Sequence, residues 1–332
     1  MRHALNFPTA KPDPYLRLQN EPVFNADKHL ALTLPQNTTS LAEFGYSDAD
    51  IAASASTLAI TSSFRIFSDA GLAVMQELAA RMKSNRNESV GTGANRLGSY
   101  IRGAGYRSQF VRDFCQCPQL LEFISKLAGT PLAQHSVPAV ACGINYAPED
   151  ITRAVDTWHV DSVPFDIVIL LTDPNTFRGG EFQYFHGTRS EGESLIGSTG
   201  EGGTLNELPA ERVHTVDFGA AGCGFMQQGN KVFHRACRLL APADRITMIP
   251  SFVTLASEVA TDGTNVRSMS GWTDPGIQTE LARHEAWLAQ DKLNQVIAEL
   301  PLSATPAEIS QQLQAAVQGI SDYSSLLLQQ EK

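Results

Sequence analysis

The sequence lacks three features that would each place a protein in a broad class at once. Its formal net charge is -10, with 25 Lys and Arg against 35 Asp and Glu, and it has no dense basic cluster, so we expect no nucleic-acid partner. No segment approaches the roughly 18 uninterrupted apolar residues of a membrane span, and the first residues have no signal-peptide core. Five cysteines are an odd number for a disulfide framework, which favours a reducing, cytoplasmic location.

What the chain does have is enough apolar sequence for one large domain. It is 332 residues long and 42% hydrophobic, which is sufficient to bury a core without disulfides or structural metals. We divide it into a leader with supporting helices at 1–134, a β-rich core at 135–255 and helices at 256–332. A Gly- and Ser-rich insertion at 187–210 is either a mobile lid or a surface loop.

The two outer parts carry helical signals. Apolar residues recur at three- and four-residue steps after Ser68 and Asp69, either of which can cap a helix. Near the other end, Thr305 and Glu308 have the spacing of a reciprocal capping box. The apolar faces of these last helices suit either packing on a sheet or formation of a homodimer.

The central part has a period of two. Seven apolar runs rich in β-branched and aromatic residues are separated by Gly, Pro, Asn or Asp turn signals. This pattern predicts a mainly β fold with flanking helices, in which the strands form an antiparallel sandwich or barrel.

Three residues on these strands have the chemistry of a metal site. His159 and Asp161 are two apart, so on a strand an imidazole and a carboxylate face the same side. His234 follows in an apolar strand, where a buried imidazole needs a partner for its nitrogens. Two histidines and one carboxylate form the facial triad of non-haem iron(II), which leaves three positions for other ligands.

An arginine in the next strand suggests an acidic ligand. Arg245 and Thr247 share one face of a strand and lie among apolar residues. A buried guanidinium is costly unless it meets an anion, and its planar fork can hold a carboxylate through two hydrogen bonds while the threonine hydroxyl adds a third. The alternative is a structural pairing of Arg245 with a local aspartate such as Asp244.

Together these residues resemble the iron(II)- and 2-oxoglutarate-dependent dioxygenase superfamily over residues 135–255. The motif of that family is H-x-D, a distal histidine and an arginine about ten residues later. The "GINYAPED" segment is similar to a strand that lines the co-substrate pocket in the family, and "RGGEFQYF" to the turn and strand after the metal strand. The matching positions here are His159, Asp161, His234, Arg245, Thr247, Asn145 and Tyr146.

This resemblance implies a double-stranded β-helix, which is a cupin-like jelly roll, with the metal near its open end. It implies Fe(II) as the metal at His159, Asp161 and His234, and 2-oxoglutarate and dioxygen as co-substrates, with 2-oxoglutarate bound by Arg245, Thr247, Asn145 and Tyr146. The implied reaction is hydroxylation of a small molecule, such as an amino acid derivative or secondary metabolite, with release of succinate and carbon dioxide. The carboxylate ligand distinguishes the sequence from related halogenases.

Three other interpretations remain open. One is a protein side-chain hydroxylase of the same superfamily. A second is a zinc-dependent hydrolase that uses the same three ligands, for which Glu181 is the evident general base. The third is a catalytically silent β-sandwich in which the triad is a coincidence.

Several nearby residues have both a structural and a functional interpretation. By strand alternation Trp158 faces away from the metal and packs. Asp166 either reaches the substrate side or caps a turn, and Arg238 either pairs with a substrate acid or forms a surface salt bridge. The glycine-broken stretch that contains Arg102 and Tyr100 is either a substrate-recognition loop or a solvated connection.

Overall fold

The computed structural model describes residues 1–88, 98–197, 208–259 and 261–330 as a mixed α/β protein with antiparallel sheets. The strands are β1 Thr38–Ser40, β2 Leu58–Thr61, β3 Phe64–Arg65, β4 Asn87–Glu88, β5 Ser99–Ile101, β6 Leu132–Gln134, β7 Cys142–Tyr146, β8 Ala154–His159, β9 Phe165–Leu170, β10 Phe182–Phe185, β11 Val213–Thr215, β12 Cys223–Gln227, β13 His234–Arg238 and β14 Ile246–Thr254. The helices are α1 Ala26–His29, α2 Asp48–Ala52, α3 Asp69–Met82, α4 Ala104–Arg107, α5 Gln109–Cys115, α6 Pro118–Ala128, α7 Pro138–Ala141, α8 Arg189–Ile196, α9 Val266–Met269, α10 Ile277–Glu299 and α11 Pro306–Gln330.

Two sheets organise the centre of the molecule. The larger one has the strand order β1-β2-β12-β9-β14-β7-β5-β4, with β3 beside β12 and β6 beside β14. The smaller one has the order β11-β10-β13-β8. Every pair in both sheets is antiparallel, as the alternating pattern of the sequence predicted.

The larger sheet is covered on both faces, and for this reason β9 is an almost continuous apolar run. Ile167 and Ile169 of β9 pack with Phe114 of α5 and Met75 of α3 in the main core. Val168, one residue along, faces the other way and packs with Phe182 of the smaller sheet. Alternate side chains of β9 therefore face opposite sides of the larger sheet: odd-numbered residues lie under the helices, and even-numbered residues lie between the two sheets.

Two helices begin where their capping residues predict. The Ser68 side chain accepts a hydrogen bond from the backbone N–H of Gly71 at the start of α3. At the start of α11, Thr305 and Glu308 form the reciprocal capping box, with Thr305 N–H donating to the Glu308 carboxylate at 2.7 Å. Among the described residues no helix is both long and apolar enough to cross a membrane.

The first 60 residues and the insertion contain more regular structure than their sequences indicate. β2 pairs with β12 and so belongs to the larger sheet, although its segment reads as an irregular leader. In the insertion, α8 begins after the capping residue Thr188. Residues 198–207, on which the choice between lid and surface loop depends, lie outside the described residues.

Candidate metal centre

The two histidines face each other across a pair of neighbouring strands. His159 is the last residue of β8 and His234 the first of β13, and the two are direct partners in the antiparallel register. Their ring centroids are 4.1 Å apart with planes at 62°. Residues 75 apart in sequence are thus brought together by a single strand pairing, at the edge of the space between the sheets.

Each imidazole is oriented by a carbonyl of its own chain. His159 Nδ1 lies 2.6 Å from the Thr157 carbonyl oxygen, and His234 Nδ1 lies 2.8 Å from that of Val232. Because a carbonyl oxygen only accepts, both Nδ1 atoms must carry the hydrogen, which leaves the Nε2 lone pairs available. A hydrogen bond from the far ring nitrogen is the usual arrangement for metal-binding histidine.

Asp161 lies between the two Nε2 atoms. Its Oδ1 is 3.4 Å from Nε2 of His159 and its Oδ2 is 3.3 Å from Nε2 of His234. Burial raises the pKa of the Asp161 carboxyl, but the positive charge that His234 carries when protonated, followed by hydrogen bonds from both imidazoles, outweighs burial and holds the pKa well below its usual range. The group therefore presents a carboxylate, which is the form that binds metal. A proton on either Nε2 is the one that a metal ion displaces.

These three side chains fit a divalent metal ion. Their ligand atoms all lie within 4.8 Å of one another, and within the described ranges they are the one such group of His, Cys, Asp and Glu. The separations of 3.4 and 3.3 Å between the Asp161 oxygens and the two Nε2 atoms are within the roughly 4 Å that two ligands of one ion can span at bonds of about 2.0–2.2 Å. The set of two imidazoles and one carboxylate is that of the non-haem iron(II) facial triad.

Arg245 lines the same cavity and is 2% exposed. Its Nε donates to the Gly180 carbonyl at 2.7 Å, and its two Nη groups make no hydrogen bond to the described residues. The pairing with Asp244 does not occur, since that carboxylate pairs with Lys83. Burial lowers the pKa of Arg245 to about 10, so the guanidinium stays charged at neutral pH.

Two of the other predicted residues line the cavity and one does not. Thr247 and Asn145 are register partners on β14 and β7 and both face the space between the sheets. Tyr146 lies on the opposite side of β7, in the core under the helices, where its hydroxyl donates to the Ala79 carbonyl at 2.8 Å. Adjacent residues of a strand cannot both face one pocket, so the structure places Tyr146 away from the site.

Sequence reasoning missed Asp156, which lines the cavity and lies 3.4 Å from Nε2 of His159. It is three residues before that histidine, so strict alternation would direct it to the other face. The pairing of β8 with β13 shifts register here, matching His234 to His159 but Ala236 to Asp156. A β-bulge of this kind changes the direction in which the neighbouring side chains point. The sequence contains no local signal that predicts it.

Asp166 faces the metal ligands and caps no turn. It is fully buried on β9, and Nε2 of Gln227 donates to its Oδ1 at 3.1 Å. Burial, and then the charge of Asp161, raises the pKa of the Asp166 carboxyl well above its usual range. Sequence reasoning also missed Gln227 as a residue of the site. The signal that could have identified it is a polar residue in the otherwise apolar strand β12.

A second cavity adjoins the first and shares Asn145, Asp156 and Asp161 with it. Its outer wall is formed by Trp272 and Arg102, whose guanidinium carbon lies 3.6 Å from the centroid of the Trp272 ring. Arg102 also donates to Asp274 at 2.7 Å. The glycine-broken stretch around Arg102 is therefore packed against the cavity and is not a solvated connection.

The remaining residues considered from the sequence lie outside the cavity. Trp158 stacks on Phe233 with ring centroids 5.4 Å apart, which confirms its packing role. Arg238 is exposed at the end of β13. Glu181, the proposed base of the hydrolase interpretation, is also exposed and does not line the metal cavity.

Comparison with known proteins gives distant structural similarity only. No family model and no curated protein matches the sequence. The non-heme alpha-ketoglutarate-dependent epimerase SnoN from nogalamycin biosynthesis is 18% identical, with a TM-score of 0.39 over 56% of this chain and 74% of that one. A Pseudomonas putida prolyl-4-hydroxylase is 16% identical, with a TM-score of 0.37 over 61% and 95%. EvdO2 from Micromonospora carbonacea var. aurantiaca, solved with 2-oxoglutarate, is 12% identical, with a TM-score of 0.39 over 68% and 96%. Similarity at this level carries no inference about the chain, so its fold and activity are argued from its own residues.

Proposed function

We propose that the protein is an iron(II)- and 2-oxoglutarate-dependent oxygenase that hydroxylates a small molecule. The observation that carries this proposal is one cavity lined both by three metal-binding side chains and by a buried arginine. His159, Asp161 and His234 contribute two Nε2 atoms and a carboxylate. The guanidinium of Arg245 is buried in the wall of the same cavity.

This arrangement suits a dicarboxylate that reaches both the metal ligands and Arg245. The Nη groups of Arg245 would bind one carboxylate, and Thr247 adds a hydroxyl on the same face of β14. The other end of 2-oxoglutarate would then lie beside the three ligands. Bound iron(II) would activate dioxygen, with one oxygen atom entering the succinate that forms from 2-oxoglutarate as carbon dioxide is lost, and the other entering the substrate as its new hydroxyl group.

The residues of the chain then bind, orient and exclude water. The carbonyls of Thr157 and Val232 fix the two imidazoles. The Gly180 carbonyl fixes Arg245 through its Nε and leaves both Nη groups for the carboxylate. Phe182 stacks on the His234 ring with centroids 5.1 Å apart and adds an apolar surface to the lining of the cavity.

We place the substrate in the adjoining cavity, beside the metal ligand Asp161. Its aromatic wall of Trp272 and Tyr100, with Arg102 between them, suits a small organic molecule. The core strands would form the double-stranded β-helix that this chemistry usually occupies, with the two sheets as its walls. The zinc hydrolase is the weaker alternative, because it gives Arg245 no role and its candidate base Glu181 is exposed.

The test is an anaerobic titration of the purified protein, loaded with iron(II), with 2-oxoglutarate. We expect a weak visible absorption band from the chelate. Arg245→Ala should need about 10- to 100-fold more 2-oxoglutarate to reach half of the band, because about 1.5–3 kcal/mol of charge-assisted hydrogen bonding is lost.

The matched control is Arg238→Ala, which removes an exposed arginine from β13 and should leave the titration unchanged. If the wild type gives no band and binds zinc tightly, the proposal is wrong and the hydrolase is favoured. Equal effects of the two arginine variants would remove Arg245 from the site.

A further inference from the structure

A buried carboxyl and a buried amide lie directly behind the Asp161 carboxylate. Asp166 of β9 and Gln227 of β12 are register partners, and both are fully buried. The Gln227 Nε2 donates to Asp166 Oδ1 at 3.1 Å and lies 3.5 Å from Asp161 Oδ2. Polar groups in a core cost free energy unless they are paired, so this placement on two apolar strands needs a cause.

A glycine allows the two carboxyl groups to approach. The Asp161 N–H donates to the Gly229 carbonyl at 2.8 Å, which ties the two backbones together. A Cβ at Gly229 would lie 2.2 Å from Asp166 Oδ2 and 2.7 Å from Asp161 Oδ2. Both carboxyl groups therefore occupy the space that any other residue would fill.

Asp161 needs such support because it is not part of a strand. β8 ends at His159 and β9 begins at Phe165, so the ligand lies in the connection between them. The pairing of β8 with β13 fixes the positions of the two histidines but does not include Asp161. Carboxylates that bind metals are usually held by hydrogen bonds from outside the metal site.

We infer that Asp166 and Gln227 are positioning residues that hold the Asp161 carboxylate in its metal-binding orientation, with Gly229 providing the space. This inference rests on the metal site proposed above. Loss of such an outer partner typically weakens metal binding about 10- to 100-fold.

The test uses cobalt(II) as the probe, because its visible bands report both occupancy and coordination. The purified full chain is titrated with cobalt(II) alone, without 2-oxoglutarate or substrate. We expect Gln227→Met and Asp166→Leu to weaken binding about 10- to 100-fold and to alter the bands. We expect Asp166→Asn to retain near wild-type binding, because its amide can still accept from Gln227 and has an NH₂ group where Oδ2 faces Asp161.

Gln228→Met is the matched control. Gln228 is the next residue and is equally buried, but its amide donates to the Ser56 and Leu58 carbonyls. This variant should lower the melting temperature and leave cobalt affinity and spectrum unchanged. If Asp166→Leu does not fold, Gln227→Met with this control decides the question.

Two results would overturn the inference. One is a Gln227→Met variant with the cobalt(II) affinity and visible bands of the wild type, which would show that Gln227 only packs. The other is equal loss of binding in Asp166→Asn and Asp166→Leu, since the asparagine preserves the orientation of its neighbours. If the wild type itself binds no cobalt, the metal site fails and this inference fails with it, which is distinguishable from failure of the variants alone.

Discussion

Replacing Gly180 by alanine should displace Arg245 and thereby weaken 2-oxoglutarate binding. Gly180 has φ of +70°, and a Cβ there would lie 2.6 Å from Arg245 Cδ and 3.0 Å from its Nε. Carbon atoms in contact are usually about 3.5–4.0 Å apart, so the side chain must move by about 1 Å. A shift of this size misaligns the guanidinium with the carboxylate that it is proposed to bind, because the other end of 2-oxoglutarate is held beside the metal ligands.

The expected magnitude follows from the lost contact. A hydrogen bond to a charged group contributes about 1.5–3 kcal/mol. Loss of one such bond corresponds to about a 10- to 100-fold rise in the dissociation constant for 2-oxoglutarate. The assay is the anaerobic titration of the iron(II) protein, followed by the visible band, while cobalt(II) affinity should stay unchanged because the three ligands are not touched.

Gly219→Ala is the matched control for backbone strain. Gly219 has φ of +72°, and a Cβ there would have no atom within 4 Å. Both variants therefore carry the cost of a left-handed alanine, about 1–2 kcal/mol, but only Gly180→Ala meets Arg245. Equal 2-oxoglutarate affinities in the two variants would refute the reasoning and with it the view that Gly180 sets the position of the guanidinium.

Three further predictions concern stability and metal binding. Burial raises the pKa of Glu280 from 4.5 to about 7, so the folded state binds this proton more tightly than the unfolded state. The wild type should therefore lose up to about 3 kcal/mol relative to Glu280→Gln as the pH rises from 4.5 through 7; urea unfolding of both at pH 5 and pH 8 measures this, and parallel curves would contradict it. Phe114→Ala should lower the free energy of unfolding by about 3–5 kcal/mol, because the ring is fully buried in the main core; a loss below 1 kcal/mol in urea unfolding would be inconsistent with that burial. Cobalt(II) at about 100 times its dissociation constant should stabilise the wild type by about 2.7 kcal/mol but not His234→Ala; calorimetry with and without a chelator measures the difference, and stabilisation of the variant would place the metal elsewhere.

Local chemistry in the sequence predicted much of the secondary structure. The caps at Ser68 and Thr305 set helix starts where the structure has them, because capping depends on residues within one turn. The period of two predicted the antiparallel strands, including the shared face of Arg245 and Thr247. The short strand β2 was missed, since its pairing with β12 is decided by residues more than 160 positions away.

Only part of the candidate site could be predicted from residue chemistry and from the alternation of side chains along a strand. His159, Asp161, His234 and Arg245 have distinctive chemistry, and the structure brings all four to one cavity, although Asp161 lies beyond the end of β8 and Arg245 just before β14. The assignment of adjacent Asn145 and Tyr146 to one pocket conflicts with the alternation of side chains, and only Asn145 faces it. The homodimer through the C-terminal helices and the domain divisions remain predictions.

The sequence by itself determined the type of chemistry and the local elements. Two imidazoles, a carboxylate and an arginine in or beside apolar strands restrict the possible ligands, and this follows from residue types and from a strand period that involves only near neighbours. The tertiary structure decided which groups surround them. A bulge in β8 turned Asp156 into the cavity, and the pairing of β9 with β12 put Gln227 beside Asp166. The space at Gly229 then let Asp166 approach Asp161. These contacts join segments far apart in the chain, and register and packing, which no local pattern encodes, determine them.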